Sequence, residues 1–158
     1  MKQQLTFSCN YTSNLYCRMQ SVSLGGIVLK GEDAMQTYKS KWFSKWAEQE
    51  GLTDCDLYNA VQEITAGLMD ADLGGHVIKK RVGLRRQGKR GGARTLLAVK
   101  HGDKAFFIFG CAKSQQDNIS RKELNALKLL AKNLLAYTAV ELNRAIQAGE
   151  LIEVKIDE

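Results

Sequence analysis

Residues 76–113, HVIKKRVGLRRQGKRGGARTLLAVKHGDKAFFIFGCAK, form the segment that decides the fold. Three runs in this segment, HVIKKRV, ARTLLAVK and KAFFIFGCAK, have the composition and hydrophobic period of strands. A glycine-rich stretch at residues 83–92 and a tight turn, His101-Gly102-Asp103, separate them. Runs of this composition between turn residues are typical of consecutive strands, so the segment predicts a three-stranded antiparallel meander.

The glycine-rich stretch also predicts how the first two strands pair. If it closes a hairpin, the numbers of paired residues sum to about 175, which places Arg81 opposite Arg94 and Lys79 opposite Leu96. Side chains alternate between the two faces of a strand, so Lys79 and Arg81 share a face with Arg94. The third strand returns to the same end of the sheet at Lys113. Four cations from three strands are therefore expected to converge.

Positive charge is concentrated in the same segment. Eight of the sixteen residues from Lys79 to Arg94 are Lys or Arg, and none is acidic. The whole chain has 23 Lys and Arg against 17 Asp and Glu, but outside residues 79–104 the balance is 13 against 16. A local surplus attracts phosphates, and like charges opposite each other in a sheet are destabilising unless solvent or an anion offsets them. The pattern favours an RNA-binding surface over a merely solvated face.

Periodic segments on both sides of the meander predict helices. A short strand or extended segment leads into a helix that ends at Gly51, and Thr53 begins a second helix. Four apolar residues fall on one face of that second helix: Leu57, Val61, Ile64 and Leu68. Two capping boxes, Ser120 with Glu123 and Thr138 with Glu141, begin further helices, and residues 151–156 resemble a last short strand. The order of elements predicts an α+β fold.

The folded domain is predicted to begin at Met35. The chain of 158 residues, with 44% hydrophobic content, has the size of one ordinary domain, but residues 1–34 lack a capped periodic element. The codons of Lys30-Gly31-Glu32 can contain a purine run at the usual spacing of a bacterial ribosome-binding site from Met35. We therefore expect residues 1–34 to be a disordered extension or a leader from a misassigned start, and residues 35–158 to form the domain.

Composition and motifs exclude several kinds of protein and site. The sequence has no run of about 18 apolar residues and no apolar N-terminal signal, which predicts a cytoplasmic protein without membrane contact. The four cysteines show no C-x-x-C pair and no matched histidine spacing, so neither a zinc site nor a disulfide framework is predicted. The motifs of serine hydrolases, P-loop proteins and zinc proteases are missing as well. The chemistry that remains is that of cations.

Lysine and arginine can do much of the chemistry of RNA cleavage without a metal. Arginine offers fixed paired donors to phosphate oxygens, and a lysine crowded by cations can act as a general base. Such cleavage is slow unless the RNA arrives bent into line for attack, which a small sheet can hardly achieve alone. Four further cations lie in the glycine-rich stretch and are expected to bind RNA rather than cut it: Arg85, Arg86, Lys89 and Arg90.

Three stretches of the chain carry a family resemblance: LMDADLGGHVIKKRV, QGKRGGARTLLAVKHGDKAFFIFGCAKSQQDNIS and ELIEV. They resemble the RelE superfamily of toxins from bacterial type II toxin-antitoxin systems, in its HigB-like branch, over about Lys39 to Val154. The combination of GG-x-R-T-L-L with F-G-x-A-K is the most specific part. The resemblance implies an α+β fold in which a helical hairpin packs on a small antiparallel sheet, with C-terminal helices. It also implies a ribosome-dependent mRNA endoribonuclease, or mRNA interferase, without metal or cofactor.

The resemblance further implies a role for each cation. Lys79, Lys80 and Arg81 would be the sheet cations, Arg94 the arginine that stabilises the transition state, and Lys113 the cation at the end of the strand. Better-known relatives often place a tyrosine or histidine after that last cation, where this chain has Ile119. The general base therefore stays open, with Lys79 or Lys80 as the candidate.

Partners follow from the same resemblance. Such toxins act on mRNA in the ribosomal A site and are paired with an antitoxin. In the HigB-like branch the antitoxin is usually a helix-turn-helix protein from the adjacent gene, and operator DNA is reached only through the complex of the two proteins. Two other functions stay open from the residues alone. One is a non-catalytic module that binds nucleic acid or ribosomes, and the other is an interaction domain whose basic loop binds an acidic protein.

Overall fold

The computed structural model describes residues 35–84, 88–112 and 119–156, with the backbone alone at residues 88–91. The elements in chain order are β1 Gln36–Ser40, α1 Lys41–Glu50, α2 Asp54–Thr65, β2 Ala71–Asp72, β3 Val77–Leu84, β4 Gly88–Lys100, β5 Lys104–Cys111, α3 Arg121–Leu135, α4 Ala139–Gln147 and β6 Leu151–Glu153. This combination confirms the α+β class. The expected leader at residues 1–34 lies outside the described residues.

The strands of the described chain form one sheet in the order β2-β3-β4-β5-β1-β6. Strands β3, β4 and β5 form the predicted antiparallel meander. In contrast, β1 pairs with β5 in parallel, with Gln36 opposite Lys104 and Lys39 opposite Phe107. The sheet is therefore mixed: the antiparallel arrangement that the resemblance implies holds for every strand pair of the described residues except β1 with β5. The parallel pair is possible because the connection from β1 to β5 contains two helices and three strands, which is long enough for a crossover.

Helices cover both faces of the sheet. Helices α1 and α2 pack on one face, around Phe43, Leu57 and Phe107. Helices α3 and α4 pack on the other face, around Phe106 and Leu134. Phe106 and Phe107 are each 0% exposed, one in each core, so these adjacent residues of β5 fill opposite faces of the sheet. The helical hairpin and the C-terminal helices therefore enclose the sheet between them.

The helix ends follow local chemistry that the sequence shows. Helix α1 ends at Gly51, whose left-handed backbone (φ 75°) few other residues adopt readily. Thr53 begins α2, and the predicted capping boxes of Ser120 and Thr138 begin α3 and α4. No helix in the described ranges is long and apolar enough to cross a membrane.

One of the four residues predicted for the apolar face of α2 lies elsewhere. Leu57, Val61 and Ile64 are buried as expected, whereas Leu68 is 62% exposed. The helix ends at Thr65, so the helical period does not extend to Leu68. The Leu68 carbonyl instead accepts a hydrogen bond from the sheet lysine Lys80.

Candidate nucleic-acid interface

The hairpin of β3 and β4 brings three predicted site residues onto one face of the sheet. Arg81 lies opposite Arg94 and Lys79 lies opposite Leu96, which confirms the predicted register. The Cβ atoms of such pairs lie about 4.5–5.5 Å apart on the same face. Leu96 belongs to the core beneath α3 and α4, so the cations share that face. We call Lys79, Arg81 and Arg94 the cationic patch.

The three side chains of the cationic patch differ in exposure. Arg81 is exposed, whereas Lys79 and Arg94 are half-buried. The end of β5 adds Cys111, whose Cα lies opposite that of Arg94. Burial raises the pKa of the Cys111 thiol, while the charges of Arg94 and Lys79 act against that rise. Both cations are therefore within electrostatic reach of this strand end. Lys113 follows two residues later, outside the described residues.

An acid that the sequence did not reveal adjoins the cationic patch. The Asp70 carboxylate accepts a hydrogen bond from the Arg81 backbone N–H at 2.5 Å and another from Arg81 Nε at 3.0 Å. Burial raises the pKa of Asp70, but these two hydrogen bonds and the charges of Arg81 and Lys80 outweigh burial and hold it below its ordinary value of 3.8. No spacing rule links Asp70 to Arg81. The sequence signal for this contact is weak: an acidic residue, Asp70, precedes the basic strand β3.

Lys80 is not brought together with the cationic patch. It alternates with its neighbours on β3 and lies on the opposite face, where its side chain is only 8% exposed. Its Nζ lies 2.6 Å from Glu63 Oε2 and donates a hydrogen bond of 2.6 Å to the Leu68 carbonyl. These partners fix the C-terminal end of α2 to the sheet. Lys80 is thus placed to hold the fold and is buried away from any substrate at the patch.

Parts of the glycine-rich stretch at residues 83–92 belong to strands. Strand β3 extends to Leu84, which lies opposite Gly88 at the start of β4, with an irregularity after Val82. Residues 83–84 and 88–92 are therefore strand where a loop was expected, because glycine is compatible with a strand where a bulge or close approach occurs. Of the four RNA-binding candidates, Lys89 and Arg90 lie on β4 with side chains outside the described residues, and Arg85 and Arg86 lie wholly outside them.

The cationic patch has the chemistry of an anion-binding surface. Arginine guanidinium groups bind phosphate oxygens through paired N–H donors, and a lysine ammonium adds a compact charge. Opposed cations in neighbouring strands repel each other, and a phosphate between them offsets the repulsion. Within the described residues, no three His, Cys, Asp or Glu side chains are grouped as a metal centre would require.

Comparison with known families places these residues in context. The family model described as the RelE toxin of the RelE/RelB toxin-antitoxin system matches residues 35–154. The match covers every described helix and strand, and it includes the whole cationic patch. No individual curated protein matches the chain at a significant level.

Proposed function

Because the chain belongs to the RelE toxin family over residues 35–154, we propose that it is a ribosome-dependent mRNA endoribonuclease that inhibits translation. The family match confirms the resemblance to RelE toxins that the sequence shows, and membership of the HigB-like branch is part of the proposal. The observation that supports it most strongly is the cationic patch, in which Lys79, Arg81 and Arg94 from two paired strands share one face.

The proposed reaction is an attack within the RNA itself. The ribose 2′-oxygen attacks the phosphorus and gives its proton to a base, while the bond from phosphorus to the 5′-oxygen breaks and that oxygen takes up a proton from water. Arg94 is assigned to the charge that develops on the phosphorane-like transition state. Lys79 shares its face and is the remaining candidate for general base, since Lys80 is buried on the other side. The products are a 2′,3′-cyclic phosphate and a 5′-hydroxyl.

We propose that the ribosome positions the mRNA for cleavage. In-line attack requires the 2′-oxygen, phosphorus and 5′-oxygen to be aligned, and binding mRNA in the A site would impose that geometry. Lys113 is proposed to act with the patch in cleavage, and four further cations of the glycine-rich stretch are proposed to bind RNA around it: Arg85, Arg86, Lys89 and Arg90. Contacts of this kind add affinity that falls with salt and do not depend on sequence.

The partners proposed are the ribosome with its mRNA and a cognate antitoxin. The toxin family implies an antitoxin, and we propose a helix-turn-helix protein encoded by the adjacent gene, with operator DNA bound only by the complex of the two. The site of action is the cytoplasm, where ribosomes translate. Co-purification of the adjacent gene product with the toxin tests the pairing.

Arg94→Ala tests the proposed function in cells. Induction of the wild-type chain in a bacterial host is expected to arrest growth and to create new mRNA ends, and Arg94→Ala is expected to restore growth while the protein still co-sediments with ribosomes. An interaction made mainly in the transition state affects rate more than affinity. Lys100→Ala is the control, because it removes one exposed cation at the far end of the same strand.

The alternative functions predict other outcomes of this experiment. Ribosome binding by the wild type without new mRNA ends would favour the non-catalytic binding module. No ribosome binding at all would favour the interaction domain. Growth arrest that persists unchanged in Arg94→Ala would contradict the role assigned to Arg94.

A further inference from the structure

Asp70 is fixed at the edge of the sheet next to the cationic patch. Its backbone N–H donates a hydrogen bond of 3.1 Å to the Lys79 carbonyl. The two residues that follow form β2, which pairs antiparallel with β3. These backbone contacts set the position of Asp70 relative to β3, so its side chain starts from a defined place.

The Asp70 carboxylate holds Arg81 at two points. One oxygen accepts from the Arg81 backbone N–H and the other from Nε–H, so backbone and side chain are tied to the same group. A guanidinium has five N–H donors, and this contact uses only the one on Nε. Within the described residues, Arg81 forms a side-chain hydrogen bond or ion pair through Nε and none through its two terminal nitrogens, and the side chain is 56% exposed. The N–H groups on those nitrogens are therefore available to a phosphate.

Holding this side chain matters because an exposed arginine is otherwise free to adopt many rotamers. Fixing such a side chain when RNA binds costs conformational entropy. The contact with Asp70 already restricts the Arg81 side chain, so less conformational entropy is lost when RNA binds. The carboxylate is also ionised at neutral pH, since the pKa of Asp70 lies below its ordinary value, and it offsets the repulsion between Arg81 and Arg94 opposite it.

The same negative charge acts against phosphate binding. A carboxylate beside an anion site reduces the local positive potential and so weakens the attraction of RNA. Asp70 therefore has two opposite effects: it weakens the attraction of RNA, and it restricts the conformation of the Arg81 guanidinium that binds the phosphate.

We propose that Asp70 is a positioning residue for RNA cleavage, acting by holding the Arg81 guanidinium so that its terminal N–H groups meet the scissile phosphate beside Arg94. This inference rests on the proposed function. Asp70 itself does not touch the RNA and acts through Arg81.

A double-mutant cycle on ribosomes programmed with a defined mRNA tests the role of Asp70. The full-length proteins are compared by single-turnover cleavage rate at saturating ribosomes and by ribosome affinity. Asp70→Ala is expected to lower the rate about 10- to 100-fold, the loss typical of a misplaced group, with affinity unchanged or tighter. In an Arg81→Ala background the same substitution is expected to change the rate less than about threefold, because the residue it acts through is gone.

Two further variants serve as matched comparisons. Asp70→Glu keeps both carboxylate oxygens on a longer side chain and is expected to retain more activity than Asp70→Ala. Asp72→Ala removes a nearby acid whose carboxylate caps the Gly74 N–H and does not contact Arg81, so its rate is expected to stay within about threefold of wild type.

Several results would overturn the inference. These are an equal loss from Asp70→Ala in both backgrounds, an unchanged rate, or a loss confined to ribosome affinity. Circular dichroism checks folding, and Asp70→Asn replaces Asp70→Ala in the cycle if the alanine variant does not fold. If neither folds, Asp70 is a structural residue and the inference fails. Wild-type protein that cuts no mRNA would contradict the proposed function as well, whereas normal wild-type cleavage with an unaffected Asp70→Ala would contradict the positioning role alone.

Discussion

Lys79 and Lys80 are adjacent in the chain and have different surroundings. Lys79 is half-buried on the face of the cationic patch, while Lys80 is buried on the other face beside Glu63 of α2. Strand alternation predicts that the two side chains point to opposite faces. It does not predict that a helix covers one of them, because that depends on how α2 packs on the sheet. The sequence could therefore not separate a catalytic candidate from a lysine that supports the fold.

Lys80→Ala is expected to lower the free energy of unfolding by about 1–3 kcal/mol, because Glu63 loses an ion-pair partner and the Leu68 carbonyl loses a donor. The Glu63 side chain is 34% exposed, so solvent limits the loss. Urea unfolding measures the effect.

Lys79→Ala is the matched control for that measurement. It is expected to change the free energy of unfolding by less than about 0.5 kcal/mol and to slow mRNA cleavage instead. Equal losses of stability in the two variants would show that the buried ion pair contributes nothing particular to the fold.

Asp70 is expected to make stability depend on pH. Its pKa in the folded protein lies below the ordinary value of 3.8, so the ionised carboxylate stabilises the folded state at higher pH. That contribution is fully present above about pH 3.8 and is lost as pH falls through the folded-state pKa. The difference in free energy of unfolding between wild type and Asp70→Asn should therefore shrink from about pH 6 to about pH 3. A difference that stays constant over that range would contradict the contact between Asp70 and Arg81.

Strand β5 and helix α1 pack closely at one glycine. A Cβ atom at Gly110 would lie 2.0 Å from Cζ3 of Trp46, so the indole lies against the bare backbone of β5. Gly110→Ala must displace that ring and is expected to lower the free energy of unfolding by about 1–3 kcal/mol.

Trp46→Ala provides the background in which this cost should disappear. Urea unfolding of Gly110→Ala, Trp46→Ala and the double variant gives the coupling between the two positions. If Gly110→Ala costs the same with and without the indole, the close approach of Trp46 is not the reason for glycine at this position.

Features that are set by residues close together in the sequence were predicted correctly. The pairing of Arg81 with Arg94 follows from one hairpin and from side-chain alternation, and the helix starts at Ser120 and Thr138 follow from capping boxes four residues long. The parallel pairing of β1 with β5 was not predicted, because it joins segments more than sixty residues apart. The contact between Asp70 and Arg81 was missed for a similar reason, since it requires β2 to pair at the sheet edge.

The charge of the whole chain divides into one basic segment, residues 79–104, and the other residues, among which acids outnumber bases. The net charge of +6 arises because ten of the 23 basic residues lie within residues 79–104. Helices α1 to α4 cover both faces of the sheet, and the paired strands carry Lys79, Arg81 and Arg94 on one of them. A field concentrated in this way favours approach to RNA through one side of the protein.

Analysis of mRNA ends after single-turnover incubation of the purified full-length protein with programmed ribosomes tests whether this patch cuts RNA. The wild type is expected to cut within the A-site codon and to leave a 2′,3′-cyclic phosphate and a 5′-hydroxyl. Arg94→Ala is expected to lower the rate by about 100-fold or more with ribosome binding unchanged, as loss of a transition-state donor does. The absence of new ends with the wild type, or equal rates for the wild type and Arg94→Ala, would contradict RNA cleavage by the cationic patch.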